Sequence, residues 1–273
     1  MADLLKRVGT ALPLVAALLA VIFWDPTPWS VLAFSALVCA IAHDEYLRMA
    51  LPVTEDDPAW LLRGTAGVLG IAIVVLPTVY TPALVLPPLL TFSAVVLGFA
   101  TLGRPQHLER AGRHFGVALS GLLYVPLLLS VLPLLKVAGE AGWLTVTLCM
   151  AFFSDTVAYL FGRAFGKHKL YPAVSPNKSW EGSFGGIVGS VLATVGIGSM
   201  WLLPGLDVLH AVGLGVVASI CGQTGDLVES MLKRTFGVKD SGKLLPGHGG
   251  FLDRIDALLF VAPVSYYYVA LIA

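Results

Sequence analysis

The sequence predicts an all-α, polytopic membrane protein, and three observations carry that expectation. Hydrophobic residues make up 57% of the 273-residue chain and charged residues only 12%, against about 25% charged in an ordinary soluble domain. Apolar runs recur at lengths near the ~20 residues that a helix needs to cross the hydrocarbon core. The formal net charge is zero, yet the basic residues collect in alternate connections between those runs.

Nine spans are expected, at residues 8–24, 28–43, 65–80, 82–102, 115–135, 142–162, 182–204, 207–230 and 250–272. Lys6 and Arg7 ahead of the first run have the look of a secretory leader. No small-residue cleavage site follows, and Asp25-Pro26 ends the run, so a retained first span is expected. With nine spans, sixteen of the seventeen Lys and Arg residues fall on one side: Lys6 and Arg7; Arg48 and Arg63; Arg104, Arg110 and Arg113; Arg163, Lys167, Lys169 and Lys178; Lys233, Arg234, Lys239, Lys243 and Arg254. Only Lys136 falls on the other. Basic residues are retained on the cytoplasmic side, which puts the N-terminus inside and the C-terminus outside.

Residues 1–140 read as a scaffold of transmembrane helices that also offers dimer contacts, and residues 141–273 as the catalytic region. In the latter, the cytoplasmic connections 163–181 and 231–249 combine Gly, Pro, Lys and Ser at a density found nowhere else in the chain. Gly182 with Gly186, and Gly185 with Gly189, make overlapping GxxxG spacings, which point to close helix packing. Cys39, Cys149 and Cys221 each lie in an apolar stretch without a neighbouring ligand residue, and read as packing residues.

Chemistry is indicated where hydropathy alone would forbid charge. Asp155, Asp226, Glu229, Asp253 and Asp256 lie near the cytoplasmic ends of three spans, and a carboxylate at mid-bilayer costs about 2.5–3.5 kcal/mol on insertion scales. Asp226 and Glu229 are spaced i, i+3, as are Asp253 and Asp256, so each pair shares a helical face. Salt bridges to Lys233, Arg234 and Arg254 would account for them as ties between helices. The alternative is a divalent-cation site, since Mg²⁺ takes carboxylate oxygens and substrate phosphates.

The basic residues between Lys233 and Arg254 outnumber the acids nearby, which favours an anionic ligand. Gly237, Gly242, Gly247, Gly249 and Gly250 permit close approach of backbone to an anion. Acids, cations and glycines together describe a polyphosphate site. The run from Gly237 to Lys243 imitates a P-loop, but Leu244 stands where Ser or Thr is required and no buried strand precedes it. His248, between glycines, is read as a phosphate contact, a general acid or a turn residue.

These residues resemble the signature of the phosphatidate cytidylyltransferase (CDP-diacylglycerol synthase) family. The likeness runs from Ser230 through Lys233-Arg234, Lys239-Asp240, Lys243, Pro246, His248-Gly249-Gly250 and Asp253-Arg254-Ile255-Asp256. Ser154-Asp155, Gly162-Arg163, the run Ser175 to Gly182 and Gly225-Asp226 are similar again. The resemblance covers about residues 150–262, while the first half matches as a generic series of spans.

The resemblance implies a nucleotidyltransferase of phospholipid biosynthesis that converts CTP and phosphatidate to CDP-diacylglycerol and pyrophosphate with Mg²⁺ and a possible second metal ion. It implies Asp226, Asp253, Lys233, Arg234, Lys239 and Asp240 as catalytic residues. Lys178, Ser179, Glu181, Lys243, His248, Gly249, Gly250 and Arg254 would bind substrate. Asp226 and Asp253 would hold the metal, with Asp155, Glu229 and Asp256 as secondary candidates. The expected setting is a bacterial cytoplasmic (inner) membrane, with the site facing the cytoplasm, a homodimer as the assembly and membrane lipid as a partner; nucleic acid is not expected. Two rivals are a related CTP-using enzyme acting on an ether-lipid phosphate or a polyprenol, and an ion or proton transporter, which would not need the Lys/Gly loop.

Overall fold

The computed structural model describes residues 18–25, 27–53, 59–103, 108–244 and 249–272. Most of the first expected span (8–17), Lys6, Arg7, Arg104, Pro246, Gly247 and His248 lie outside the described residues. Among the described residues, eight helical segments are long and apolar enough to cross a membrane. They coincide with the second to ninth expected spans. The chain divides into two compact units, one of Met1–Leu134 with Val238–Leu252, the other of Leu135–Gly237 with Asp253–Ala273.

In the first unit, α1 (Trp29–Ala50), α2 (Trp60–Val79), α3 (Pro82–Leu102) and α4 (Leu108–Leu122) follow one another. Pro82 opens α3 where a missing N–H costs nothing. A π turn, Leu123–Leu127, carries α4 past Pro126, the wide turn being one way a helix absorbs a proline. The core is close-packed around α1. A Cβ on Gly70 would stand 2.7 Å from His43 Nδ1 and 2.9 Å from Pro126, and one on Gly121 would stand 2.5 Å from the Tyr46 ring, so α2 and α4 approach α1 through glycine. Tyr46 then shares a hydrogen bond with Ser120 Oγ at 3.0 Å. Arg48 and Arg63, assigned from sequence to one basic connection, both meet Asp44, at 2.5 and 3.1 Å.

The second unit takes in most of α5 (Leu128–Phe165), a hairpin of β1 (Lys169–Tyr171) and β2 (Ser175–Ser179), α6 (Trp180–Leu192), a π-helical continuation (Ala193–Leu202), α7 (Val208–Thr235) and α8 (Leu252–Leu271). The hairpin is antiparallel, pairing Lys169 with Ser179 and Tyr171 with Ser175. It is a small departure from an all-α chain, placed in the connection 163–181. Asp207 caps α7 by accepting from the Leu209 and His210 amides, and Gly237, at φ +72°, closes it, a conformation that favours glycine.

The GxxxG glycines are packing positions. A Cβ on Gly189 would lie 2.5 Å from the Phe153 carbonyl oxygen, one on Gly185 2.5 Å from Phe161, and one on Gly182 2.9 Å from the Ala158 carbonyl. Thus α6 rests backbone to backbone on α5 between Phe153 and Gly162. All three cysteines are free, and Cys39 is buried.

Lys136 requires a correction. It was expected in a connection, but the helical run continues through it and the side chain is 8% exposed. The span expected to end at residue 135 continues as helix to Gly139 in the membrane-length segment. Probes of topology therefore belong elsewhere. Gly205 sits in the turn before α7 with open space around its Cα, and Lys167 is exposed between α5 and the hairpin. In a background lacking the native cysteines, Gly205→Cys is expected to react with an impermeant thiol reagent on intact cells, and Lys167→Cys only after lysis. The reverse pattern would overturn the orientation read from the basic residues.

Candidate active site

Three helices of the second unit are joined by a polar ladder at the depth of the acidic residues. Ser154 of α5 and Ser219 of α7 share a hydrogen bond at 2.9 Å, and Gln223 Nε2 donates to Ser219 Oγ at 2.9 Å and to the Ser183 carbonyl of α6 at 3.0 Å. Each bond satisfies a group that would be costly in an apolar surrounding. The ladder fixes the rotation of α5 and α7, and with it the direction of Asp155 and Asp226, each within four residues of a rung. Sequence reading missed Ser219 and Gln223; polar residues four apart within an apolar helix were the available signal.

Helix α8 meets α7 through two further glycines. A Cβ on Gly225 would stand 2.6 Å from the Asp256 carbonyl oxygen, and one on Gly222 2.9 Å from Val261. The residue after Gly225 is Asp226, so the close approach brings the acidic turns of α7 and α8 together. The two helices lie side by side at these turns.

The acids form two linked groups, with Asp256 within electrostatic reach of both. Asp155, Asp226 and Asp256 lie within electrostatic reach of one another, with Lys178 and Arg254 near Asp155. Lys178 Nζ stands 2.6 Å from Asp226 Oδ2. In the other group, Lys233 Nζ donates to Asp253 Oδ1 at 2.7 Å and pairs with Glu229 one turn before it. Glu229 and Asp256 are buried, while Asp155 is exposed. Hence Asp226 and Asp253, paired in the sequence reading as joint ligands, each carry a lysine, and Glu229 serves as a partner of Lys233.

Among the described residues, no group of three or more His, Cys, Asp or Glu is arranged to hold a metal ion unaided. The oxygen donors nevertheless suit a hard cation, and Mg²⁺ ordinarily completes its shell with water and substrate phosphate. Three carboxylates converging from three helices gain from a cation that offsets their repulsion.

The hairpin positions Lys178. Ser179 Oγ accepts the Gly182 amide at 3.1 Å as the N-cap of α6, which satisfies one of the free amides of the first turn. Glu181 accepts the Lys167 and His168 amides at 3.1 and 3.3 Å and meets His168 Nδ1 at 2.6 Å. Ser179 and Glu181, expected to bind substrate, are thus engaged in shaping the segment that carries Lys178.

Of the remaining expected residues, those of the loop from Val238 to Leu252 belong to the first unit, and Arg234 and Arg254 to the second. Lys239, Asp240 and Lys243 are exposed on the loop after α7, Gly249 adopts φ +81°, and Gly250 is buried. Arg234 is exposed in the last turn of α7, and Arg254 is exposed in the first turn of α8. His248 lies outside the described residues. One partner of this loop was not foreseen: Glu45 of α1, buried, accepts the Leu252 amide at 2.8 Å and the Ser241 hydroxyl at 3.2 Å through Oε2. Its only trace in the sequence is the acidic pair Asp44-Glu45 directly after an apolar run.

Comparison with known proteins places the chain in a family. The model of the cytidylyltransferase family matches residues 5–272. The chain is 36% identical over 245 residues to the uncharacterized protein YnbB of Escherichia coli K12, covering 88% of this chain and 79% of that protein. It is 35% identical over 237 residues to a phosphatidate cytidylyltransferase of Staphylococcus epidermidis RP62A, covering 85% and 86%. A protein of the same description from Staphylococcus aureus COL is 34% identical over 238 residues, with the same coverage of each.

Proposed function

The chain belongs to the cytidylyltransferase family and is a nucleotidyltransferase, and from that premise we propose that it converts CTP and phosphatidate to CDP-diacylglycerol and pyrophosphate. The observation that carries the reading is the convergence of Asp155, Asp226 and Asp256 with Lys178 on Asp226. Such a set suits a cation bridged to a polyphosphate. An ion pathway would also hold carboxylates in spans, but it gives no account of the family match or of the Lys/Gly loop.

In the proposed reaction, an oxygen of the lipid phosphate attacks the α-phosphorus of CTP. A new P–O bond forms, the α–β bridging bond breaks, and pyrophosphate leaves. A phosphate monoester with a second pKa of about 6 is largely dianionic at neutral pH, so no protein nucleophile or strong base is needed. The task left to the protein is to bring two anions together and to hold them in line.

Asp226 and Asp253 are the proposed ligands of Mg²⁺, with Asp155 and Asp256 completing the acidic surround. When bound, the cation would supply charge neutralisation on the phosphates. Lys178, 2.6 Å from Asp226, is proposed to contact a phosphate oxygen of the substrate. Lys239, Lys243 and Arg234 are proposed to bind phosphate oxygens and to do so from exposed positions. The proposed setting is the cytoplasmic side of a bacterial inner membrane, where water-soluble CTP and a leaflet lipid meet; the distribution of basic residues supports that side, and the family resemblance makes a homodimer the expected assembly.

The test is a thin-layer assay of purified protein with CTP labelled at the α-phosphate, phosphatidate and Mg²⁺. A labelled lipid-linked nucleotide is expected, and its absence with folded, monodisperse protein would remove the reading. Label passing only to an ether-lipid phosphate would reassign the acceptor. Transfer of label to a polyprenol from CTP labelled at the γ-phosphate, with none from the α-labelled nucleotide, would reassign the reaction to phosphorylation with CDP as leaving group.

A further inference from the structure

We propose that Glu45 is a positioning residue for nucleotide binding, a carboxylate from α1 that clamps the neck of the Lys/Gly loop and thereby sets the placement of Lys243. The proposal rests on the reading that this loop binds the phosphates of CTP, and it assigns a function to a residue outside the region of the signature.

Glu45 is separated from the loop by about two hundred residues, yet it touches both strands of the loop's neck. On the outgoing strand Ser241 donates to Oε2 at 3.2 Å, and on the returning strand the Leu252 amide donates to the same oxygen at 2.8 Å. The fit leaves no room to spare. A Cβ on Gly242 would lie 2.2 Å from Oε1, and one on Gly250 would lie 2.9 Å from Oε2, 2.5 Å from the Gly242 nitrogen and 2.0 Å from Ser241 Oγ. The two glycines are therefore required by the clamp itself, since any side chain there would displace the carboxylate or part the strands.

Physical cost supports a purpose for this arrangement. Glu45 is 7% exposed, and Oε1 is buried without a hydrogen-bond partner. A buried carboxylate is expensive even when it accepts two hydrogen bonds, and an apolar side chain at this position would hold α1 in its core at lower cost. What a side-chain oxygen here provides, and an apolar side chain does not, is acceptance of donors from both strands of a glycine-rich segment. Lys243 follows Gly242 directly, so the clamp restricts the backbone from which that lysine reaches an anion.

The experiment compares Glu45→Ala, Glu45→Gln and Gly242→Ala with the wild-type protein. Glu45→Ala is expected to raise KM for CTP about tenfold or more while kcat at saturating CTP stays within a few-fold, because a displaced anchor costs binding first. Glu45→Gln keeps an acceptor oxygen and is expected to recover most of the loss. Gly242→Ala presses on the carboxylate without removing it and should reproduce the raised KM. In parallel, trypsin cleavage at Lys243-Leu244 without nucleotide should be faster in Glu45→Ala and Gly242→Ala, and CTP should protect wild type better than either.

Unchanged KM and cleavage in Gly242→Ala together with Glu45→Ala would overturn the clamp; should Glu45→Ala fail to fold, Gly242→Ala alone decides. If wild type transfers no cytidylyl group, the proposed function fails while the cleavage comparison still judges whether Glu45 holds the loop.

Discussion

Asp226→Asn is expected to lower turnover at least about 100-fold, the upper end of what loss of a residue merely outside the coordination shell costs, and to raise the Mg²⁺ concentration needed for half-maximal activity. The variant keeps the size of the side chain and its hydrogen bond from Ser230, which is long at 3.4 Å. Its ion pair with Lys178 is part-buried, at 24% and 32% side-chain exposure with the ammonium nitrogen itself enclosed, and Asp155 remains as a counter-charge near Lys178, which limits the loss of stability. Activity and thermal stability should therefore separate. A salt-bridge role predicts the opposite pattern, lowered Tm with normal Mg²⁺ dependence. Activity against Mg²⁺ concentration, measured beside a melting curve in detergent, distinguishes the two. Near-normal turnover at ordinary Mg²⁺ would remove Asp226 from the metal site.

Much of this arrangement was legible in the sequence because membranes narrow the choice of structure. Every backbone polar group must be satisfied within the bilayer, so apolar runs of sufficient length become helices with little ambiguity. The expected spans from 28–43 to 250–272 each find a helix. Glycine spacing was equally readable: Gly182, Gly185, Gly186 and Gly189 lie on the face that meets α5. The i, i+3 acids of α7 and α8 also announced themselves, since charge in an apolar helix is costly enough to require a reason.

Pairing between distant residues was not legible. The spacing of Asp226 and Asp253 gave no sign that Lys178 would take the first and Lys233 the second, because which lysine reaches which acid depends on the rotation of helices set by Ser154, Ser219 and Gln223. Ser179 and Glu181 match a motif, and a motif does not reveal that their hydrogen-bonding capacity is used on local amides. Glu45 was missed for a similar reason. Its partners, Ser241 and Leu252, are contributed from the far end of the chain, and nothing in the periodicity of α1 marks one buried acid as a clamp. Lys136 shows the limit of hydropathy at span ends, where a helix continues past the residue at which the apolar run stops.

Lys233→Met is expected to destabilise the protein by ~3–5 kcal/mol, the usual effect of removing one partner from a buried ion pair and leaving the other uncompensated. The lysine is 12% exposed at its side chain and bridges two acids that are more deeply buried, Glu229 at 1% and Asp253 at 9%. The variant leaves both carboxylates without that counter-charge within apolar helices, a burden that Met, similar in length, does nothing to relieve. Glu229→Gln in the same chain removes one of the two charges and should restore part of the lost Tm, a non-additive result that marks direct coupling. Asp253→Asn alone should cost less stability, because Lys233 keeps Glu229. A phosphate-binding role for Lys233 makes a different forecast: near wild-type Tm, a raised KM for CTP and no recovery in the double variant. Melting curves for the three variants, read beside KM for CTP, therefore assign Lys233 either to holding α7 against α8 or to holding substrate; an unchanged Tm in Lys233→Met would eliminate the first.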